Sequence, residues 1–209
     1  EMIIIGIPSA FQMFLRATSR MVVMGLVGLF GTPALAGYGV ANRILLGLLI
    51  PCFGMGNAAA TLVGQNLGAR KPKRAEKSVW TIGGYNLIYM AFFALLLFVY
   101  ATPLISLFDH EADVLHYGSM ALKIMGPSYL FTALGVVMAR GLNGAGDTVP
   151  PMSINLFTLW LLQIPLAYLL SRTSLSSNGL WLGIALANTV NGILMTLWFK
   201  RGRWKLKEV

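Results

Sequence analysis

The sequence predicts an all-α, polytopic membrane protein, a six-transmembrane-helix bundle. Three observations carry that expectation. Only 11% of the 209 residues are charged and 56% are hydrophobic, where soluble domains average about 25% charged. The charges also leave long gaps. No Asp, Glu, Lys or Arg occurs from Met21 to Asn42, Ile44 to Ala69, Ser78 to Phe108, Thr148 to Leu170 or Thr173 to Phe199. About 20 largely apolar helical residues cross a bilayer core of roughly 30 Å, and every gap is long enough. Finally, the gaps lack the polar face of a soluble amphipathic helix.

Polar breaks divide residues 1–209 into one bundle of six spans, at about 7–30, 35–67, 79–108, 115–142, 149–171 and 179–199, with a basic tail over 200–209. The first span does not read as a signal peptide, because its apolar pattern continues without a small-residue cleavage site. Glu1-Met2 reads as a cut inside a longer chain. The second span exceeds one crossing and contains Pro51, Gly54 and Gly56, which predicts a tilt, a kink or a projecting end. Cys52, the single cysteine, is expected to be a small packing residue. Pro8, Pro51, Pro127 and Pro165 fall in four of the six spans, and broken helices suit bending bundles. Gly25 with Gly28, or Gly183 with Ala187, would permit close helix approach.

Loop charge predicts orientation. The second-to-third loop carries Arg70, Lys71, Lys73, Arg74 and Lys77, and the tail carries Lys200, Arg201, Arg203, Lys205 and Lys207. The third-to-fourth loop carries Asp109, Glu111 and Asp113. Cytoplasmic loops are rich in Lys and Arg, and six crossings put both basic clusters on one side. The expectation is a plasma (inner) membrane protein with both termini cytoplasmic, in contact with membrane lipids. The net charge of +9 then reflects topology and phospholipid contact, and a nucleic-acid partner is not expected.

Seven acids, Glu1, Glu76, Asp109, Glu111, Asp113, Asp147 and Glu208, all fall at ends or in loops, and His110 and His116 lie at the acidic loop. This pattern excludes a paired-carboxylate hydrolase, a His-rich metal site and an HExxH protease within the chain. No enzymatic activity, metal or cofactor is expected. Gln12, Arg16 and Arg20 recur every four residues, so they share a helix face. A charge at membrane depth is costly unless it meets water or a partner. Either this stripe lines an aqueous, substrate-contacting cavity, or Arg20 snorkels while Arg16 pairs with a carboxylate or backbone carbonyls. Lys123 and Arg140 are expected to snorkel. Asn57, Thr61 and Gln65 share a face of the second span. Further polar residues are Tyr129 and Thr132 in the fourth, Asn155 and Gln163 in the fifth, and Asn188 and Asn191 in the sixth. Such groups serve as interhelical glue or line a cavity.

Two segments carry a family resemblance. VGQNLGA, beginning at Val63, resembles the VGQ-x-x-GA segment of multidrug and toxic compound extrusion (MATE) transporters. GLNGAGDTVPPM, Gly141 to Met152, resembles that family's RGAGDT-x-x-PM loop. GIP near the start and GLWLGIALAN near the last span fit matching positions. The resemblance implies a fold of two six-helix halves around a central cavity. It also implies secondary-active, cation-coupled efflux of amphipathic organic compounds, with this chain as the C-terminal half of a twelve-helix transporter. Its partners would be a small-molecule substrate and the N-terminal half. Some members carry a cation-binding carboxylate where this sequence has Arg16, so the coupling ion, sodium or proton, is expected in the other half. Alternatives are an organic-anion exporter using the basic cavity face, or a non-transporting scaffold or accessory subunit. For the motif residues the expectation is structural. Gly64, Gly68 and Ala69 would let the second helix end in close packing, with Gln65 bonding across to a neighbour. Gly144, Gly146 and Pro150 would make a tight turn, with Asp147 as N-cap of the fifth helix.

Overall fold

The computed structural model describes residues 2–206, apart from the side chains of residues 2–6 and 9; Glu1, Lys207, Glu208 and Val209 lie outside the described residues. The helices are α1 (Met2–Gly28), α2 (Thr32–Gly68), α3 (Pro72–Val99), α4 (Ala101–Ser106), α5 (Ala112–Met125), α6 (Tyr129–Gly144), α7 (Val149–Asn155), α8 (Ile164–Ser171) and α9 (Ser176–Lys200). Among the described residues there is no strand. Among the described residues, five stretches are long and apolar enough to cross a membrane: α2, α3, Ala112–Gly144, Val149–Ser171 and α9. α1 is helical over 27 residues. Phe92, Leu95, Phe98 and Val99 project from α3 at 56–66% exposure, a large apolar surface that water would not tolerate but lipid solvates.

Proline and glycine explain most of the interruptions. α2 runs unbroken through Pro51 for 37 residues, a length of about 55 Å, so its excess over one crossing is a long continuous helix. The span expected at 79–108 is instead two helices that part at Tyr100. Pro103 sits in the first turn of α4, where its missing N–H costs nothing. The next span tightens into a 3-10 turn at Gly126–Ser128 around Pro127. Within Val149–Ser171, the stretch Leu156–Gln163 is π-helical. Pro165 follows immediately and cannot continue the ordinary ladder; a widened ladder accommodates it.

The core consists of two apolar clusters threaded by α2, α3, α6 and α9. One gathers Leu45, Leu49, Met90, Leu122, Met125 and Trp181. The other gathers Val63, Val79, Met138, Leu142, Phe199 and Trp204 at the end bearing the basic loop. Cys52 is fully buried in the first cluster, as a packing residue would be. At the basic end the chain turns back at Gly202, whose φ is 73°. Trp204 then stacks on Phe199 at 4.8 Å, and Lys205 pairs with Glu76 of α3 at 2.6 Å. The start of α3 and the tail therefore occupy one end of the bundle.

Close helix approach is set by particular glycines. A Cβ on Gly183 would lie 2.6 Å from Ala167 Cα in α8, whereas none on Gly25 or Gly28 would meet anything within 4 Å. Among the motif residues, Gly144 packs directly on the Ala60 backbone, and Gly64 faces Gly144 O. Gly68 faces open space, and Ala69 and Gln65 are exposed. Gln65 makes no side-chain hydrogen bond across to another helix; its carbonyl accepts from Ala69 N in the helix end. The close packing expected of this motif thus falls on Gly64 alone, because the last turn of α2 extends past its neighbours.

Asp147 is not the N-cap of the fifth span. That position is Thr148, and Pro150 occupies the second helical residue. Gly146 adopts φ 72° after α6, and Asp147 N donates to Leu142 O at 2.9 Å. That is the Schellman closure of a helix C-terminus. The backbone of Asp147 closes α6, and α7 follows with Thr148 at its N-cap position. The tight turn itself is present, with glycine required at position 146 by its positive φ.

Candidate functional site

α1 packs on α7, the π-helical stretch and α2, and stands away from α6. This arrangement leaves a small cavity and an adjoining groove. The cavity, of about 100 Å³, is lined by Arg16, Arg20, Tyr129, Thr132, Asn155, Gln163, Asn188 and Asn191. The groove, of about 500 Å³, takes in Gln12 together with Arg16 and Arg20. All nine residues singled out in the sequence therefore line one or other space. Arg16, Arg20, Phe53 and Val136 border both.

The polar groups form a connected set. Gln12 Nε2 donates to Thr148 O at 3.1 Å, fastening α1 to the start of α7. Arg16 Nη2 donates to Asn155 Oδ1 at 3.4 Å. Asn191 Nδ2 donates to the same oxygen at 3.1 Å and to Thr158 Oγ1 at 2.6 Å. Ser19 Oγ and Trp160 Nε1 complete the seam, donating to Leu159 O at 3.3 Å and Leu15 O at 3.2 Å. Arg16 is thus tied to a side-chain amide, neither to a carboxylate nor to a backbone carbonyl. Gln163 Oε1 and Asn155 Nδ2 are buried without a partner among the described residues.

Sequence reasoning overlooked Ser19, Tyr38 and Asn42, which also line the cavity. Tyr38, Asn42, Leu46, Leu49 and Phe53 follow helical spacing along one face of α2 and all reach it, so periodicity held the missing signal. Asn57 and Thr61, further along α2, are exposed and outside it. Arg140 is exposed. Its stem lies over Gly56, where a Cβ would come within 3.1 Å of Arg140 Cγ, and the residue lines the groove. A bulkier residue at position 56 would displace it.

Among the described residues, no Asp or Glu lines either space. The ion pair Lys205–Glu76 lies at the basic end. No cluster of three His, Cys, Asp or Glu residues able to hold a metal occurs among the described residues.

An all-α bundle with lipid-suited outer faces and a cationic, amide-rich opening on one side defines a polytopic membrane protein with an internal polar site. The MatE family model matches residues 8–169, and the chain belongs to that family. It is 25% identical over its whole length to the probable multidrug resistance protein NorM of Thermotoga maritima, of which it covers 45%. It is 29% identical to the probable multidrug resistance protein YpnP of Bacillus subtilis, with 98% of this chain and 46% of that protein aligned. A relative from Shewanella oneidensis named FAD transporter is 28% identical, over 89% of this chain and 41% of its own length. The fold matches the crystal structure of the Vibrio cholerae MATE transporter VcmN in the bent form, with a TM-score of 0.87 at 23% identity, over 93% of this chain and 44% of that one. The chain spans about half the length of the curated relatives it matches.

Proposed function

We propose that this chain is the C-terminal half of a secondary-active efflux transporter for amphipathic organic compounds. It would work in the plasma (inner) membrane with both termini cytoplasmic. The observation that carries the reading is the polar cavity and groove opening between α1 and α2/α6 of an otherwise apolar bundle. A groove of about 500 Å³ lies within the roughly 300–1,000 Å³ of small-molecule sites. The N-terminal six-helix half would supply the facing wall, and the two would rock about the site in alternating access. Coupling to sodium or protons belongs in this reading to the partner half, since no carboxylate lines the openings here.

The test uses the intact two-half transporter in proteoliposomes, preloaded with a fluorescent amphipathic dye. Imposed sodium or proton gradients should accelerate dye efflux, and dissipating the gradient should abolish the acceleration. Efflux indifferent to both gradients would overturn the coupled mechanism.

A further inference from the structure

The cluster around Arg16 has a direction, and it leaves a donor unanswered. Arg16 carries donors only, so Asn155 must present its oxygen to it. That oxygen also accepts from Asn191 Nδ2. Asn191 Nδ2 reaches Thr158 Oγ1 as well, and that hydroxyl donates onward to Ile154 O at 2.7 Å. Flipping the Asn155 amide would set its NH2 against the guanidinium. Asn155 Nδ2 is therefore fixed facing away from these partners, in a residue only 1% exposed, and unpartnered among the described residues. A buried donor without an acceptor costs about 1–3 kcal/mol. Here it borders a cavity shared with two arginines.

The adjoining groove adds Arg140, held by its stem across Gly56. Three guanidiniums thus border two adjoining spaces that no carboxylate lines among the described residues. Guanidinium forks match phosphate and carboxylate oxygens. The charged side chains that a cationic group would meet in the same space are guanidiniums, with Gln163 Oε1 an unpartnered acceptor among the described residues.

Resting on the transport reading above, we infer that Arg16, Arg20, Arg140 and Asn155 Nδ2 bind the oxyanion group of an amphipathic substrate, a phosphate or carboxylate. The apolar part of that substrate lies in the groove against Phe53 and Val136. The charged group sits where cavity and groove meet at Arg16 and Arg20, between Asn155 on the cavity side and Arg140 on the groove side, and the larger groove receives the body.

The experiment uses the intact transporter in phosphatidylcholine nanodiscs with three probes of one ring system: 1-naphthyl phosphate, neutral 1-naphthol and (1-naphthylmethyl)trimethylammonium. The phosphate should bind tightest. Arg16→Gln, Arg20→Gln and Arg140→Gln should each weaken it about 10- to 100-fold, the loss of a hydrogen bond to a charged group, with 1-naphthol binding unchanged. Asn155→Asp, which replaces the free donor with an anionic acceptor, should weaken it also. Arg140 makes no hydrogen bond in the cluster, so its substitution reads out binding without disturbing Asn155 or Asn191. Arg140→Lys should restore part of the affinity. Equal or tighter binding of the ammonium probe, or wild-type phosphate affinity in both Arg16→Gln and Arg140→Gln, would overturn the site. Competitive displacement of the phosphate by added phosphatidylglycerol would make the occupant a lipid headgroup and end the substrate assignment. Arginine-dependent binding without gradient-driven export would count against the transport reading alone. Gradient-driven export of 1-naphthol with arginine-independent phosphate binding would count against this site alone.

Discussion

Gly144 and Gly68 each belong to a motif of the family, yet the structure gives them opposite sensitivities. A Cβ at position 144 would lie 2.7 Å from Ala60 Cα and 2.8 Å from Ala60 C. Comfortable carbon contacts lie at about 3.5–4.0 Å, so α2 and α6 would have to part by roughly 1 Å. Both obstructing atoms are backbone, and no rotamer change relieves them. Over-packing of this kind costs about 1–3 kcal/mol. At position 68 nothing lies within 4 Å, and replacing glycine by alanine in a helix gains up to about 1 kcal/mol. Thermal unfolding of the intact transporter in detergent, followed by tryptophan fluorescence, separates the two. Gly144→Ala should lower Tm by several degrees, at about 2–4 °C per kcal/mol for a unit of this size. Gly68→Ala should leave it unchanged or raise it. A Gly144→Ala protein melting with wild type, or a Gly68→Ala protein equally impaired, would refute the reasoning.

At the basic end, Trp204 is 1% exposed, stacked on Phe199 and hydrogen-bonded through Nε1 to Phe199 O at 3.0 Å. Trp204→Ala should cost about 3–5 kcal/mol. Glu76→Gln, which breaks the half-exposed Lys205 pair, should cost about 0–1 kcal/mol; comparable Tm losses would contradict this. Cysteines placed at Ser78 and in the tail should react with a membrane-impermeant maleimide only from the cytoplasmic side, and one at Ala112 only from outside. Labelling of Ala112 from inside would reverse the topology. The chain of residues 1–209 reconstituted alone should show no gradient-driven efflux, because the proposed cavity lacks its facing wall. Activity that appears only on dimerisation would show a second copy standing in for it, and monomeric activity would sink the two-half account.

The charge-free gaps by themselves determined an all-α membrane bundle, because each is about the length of a helical crossing and a helix satisfies its own backbone hydrogen bonds in hydrocarbon. Four-residue spacing likewise put Gln12, Arg16 and Arg20 on one face, since the helical repeat is local geometry. Which other helices meet that face was decided only by the tertiary structure. Asn155 and Asn191 lie 36 positions apart, and Arg16 and Asn155 139 apart. No periodicity links them; the packing of α1 on α7 and the π-helical stretch does. The same limit explains Gln65 and Gly68, which read as packing residues but project past the neighbouring helices, and Asp147, whose amide was already engaged in closing α6. A residue's type fixes what bonds it can make, and the fold decides which partner comes within reach.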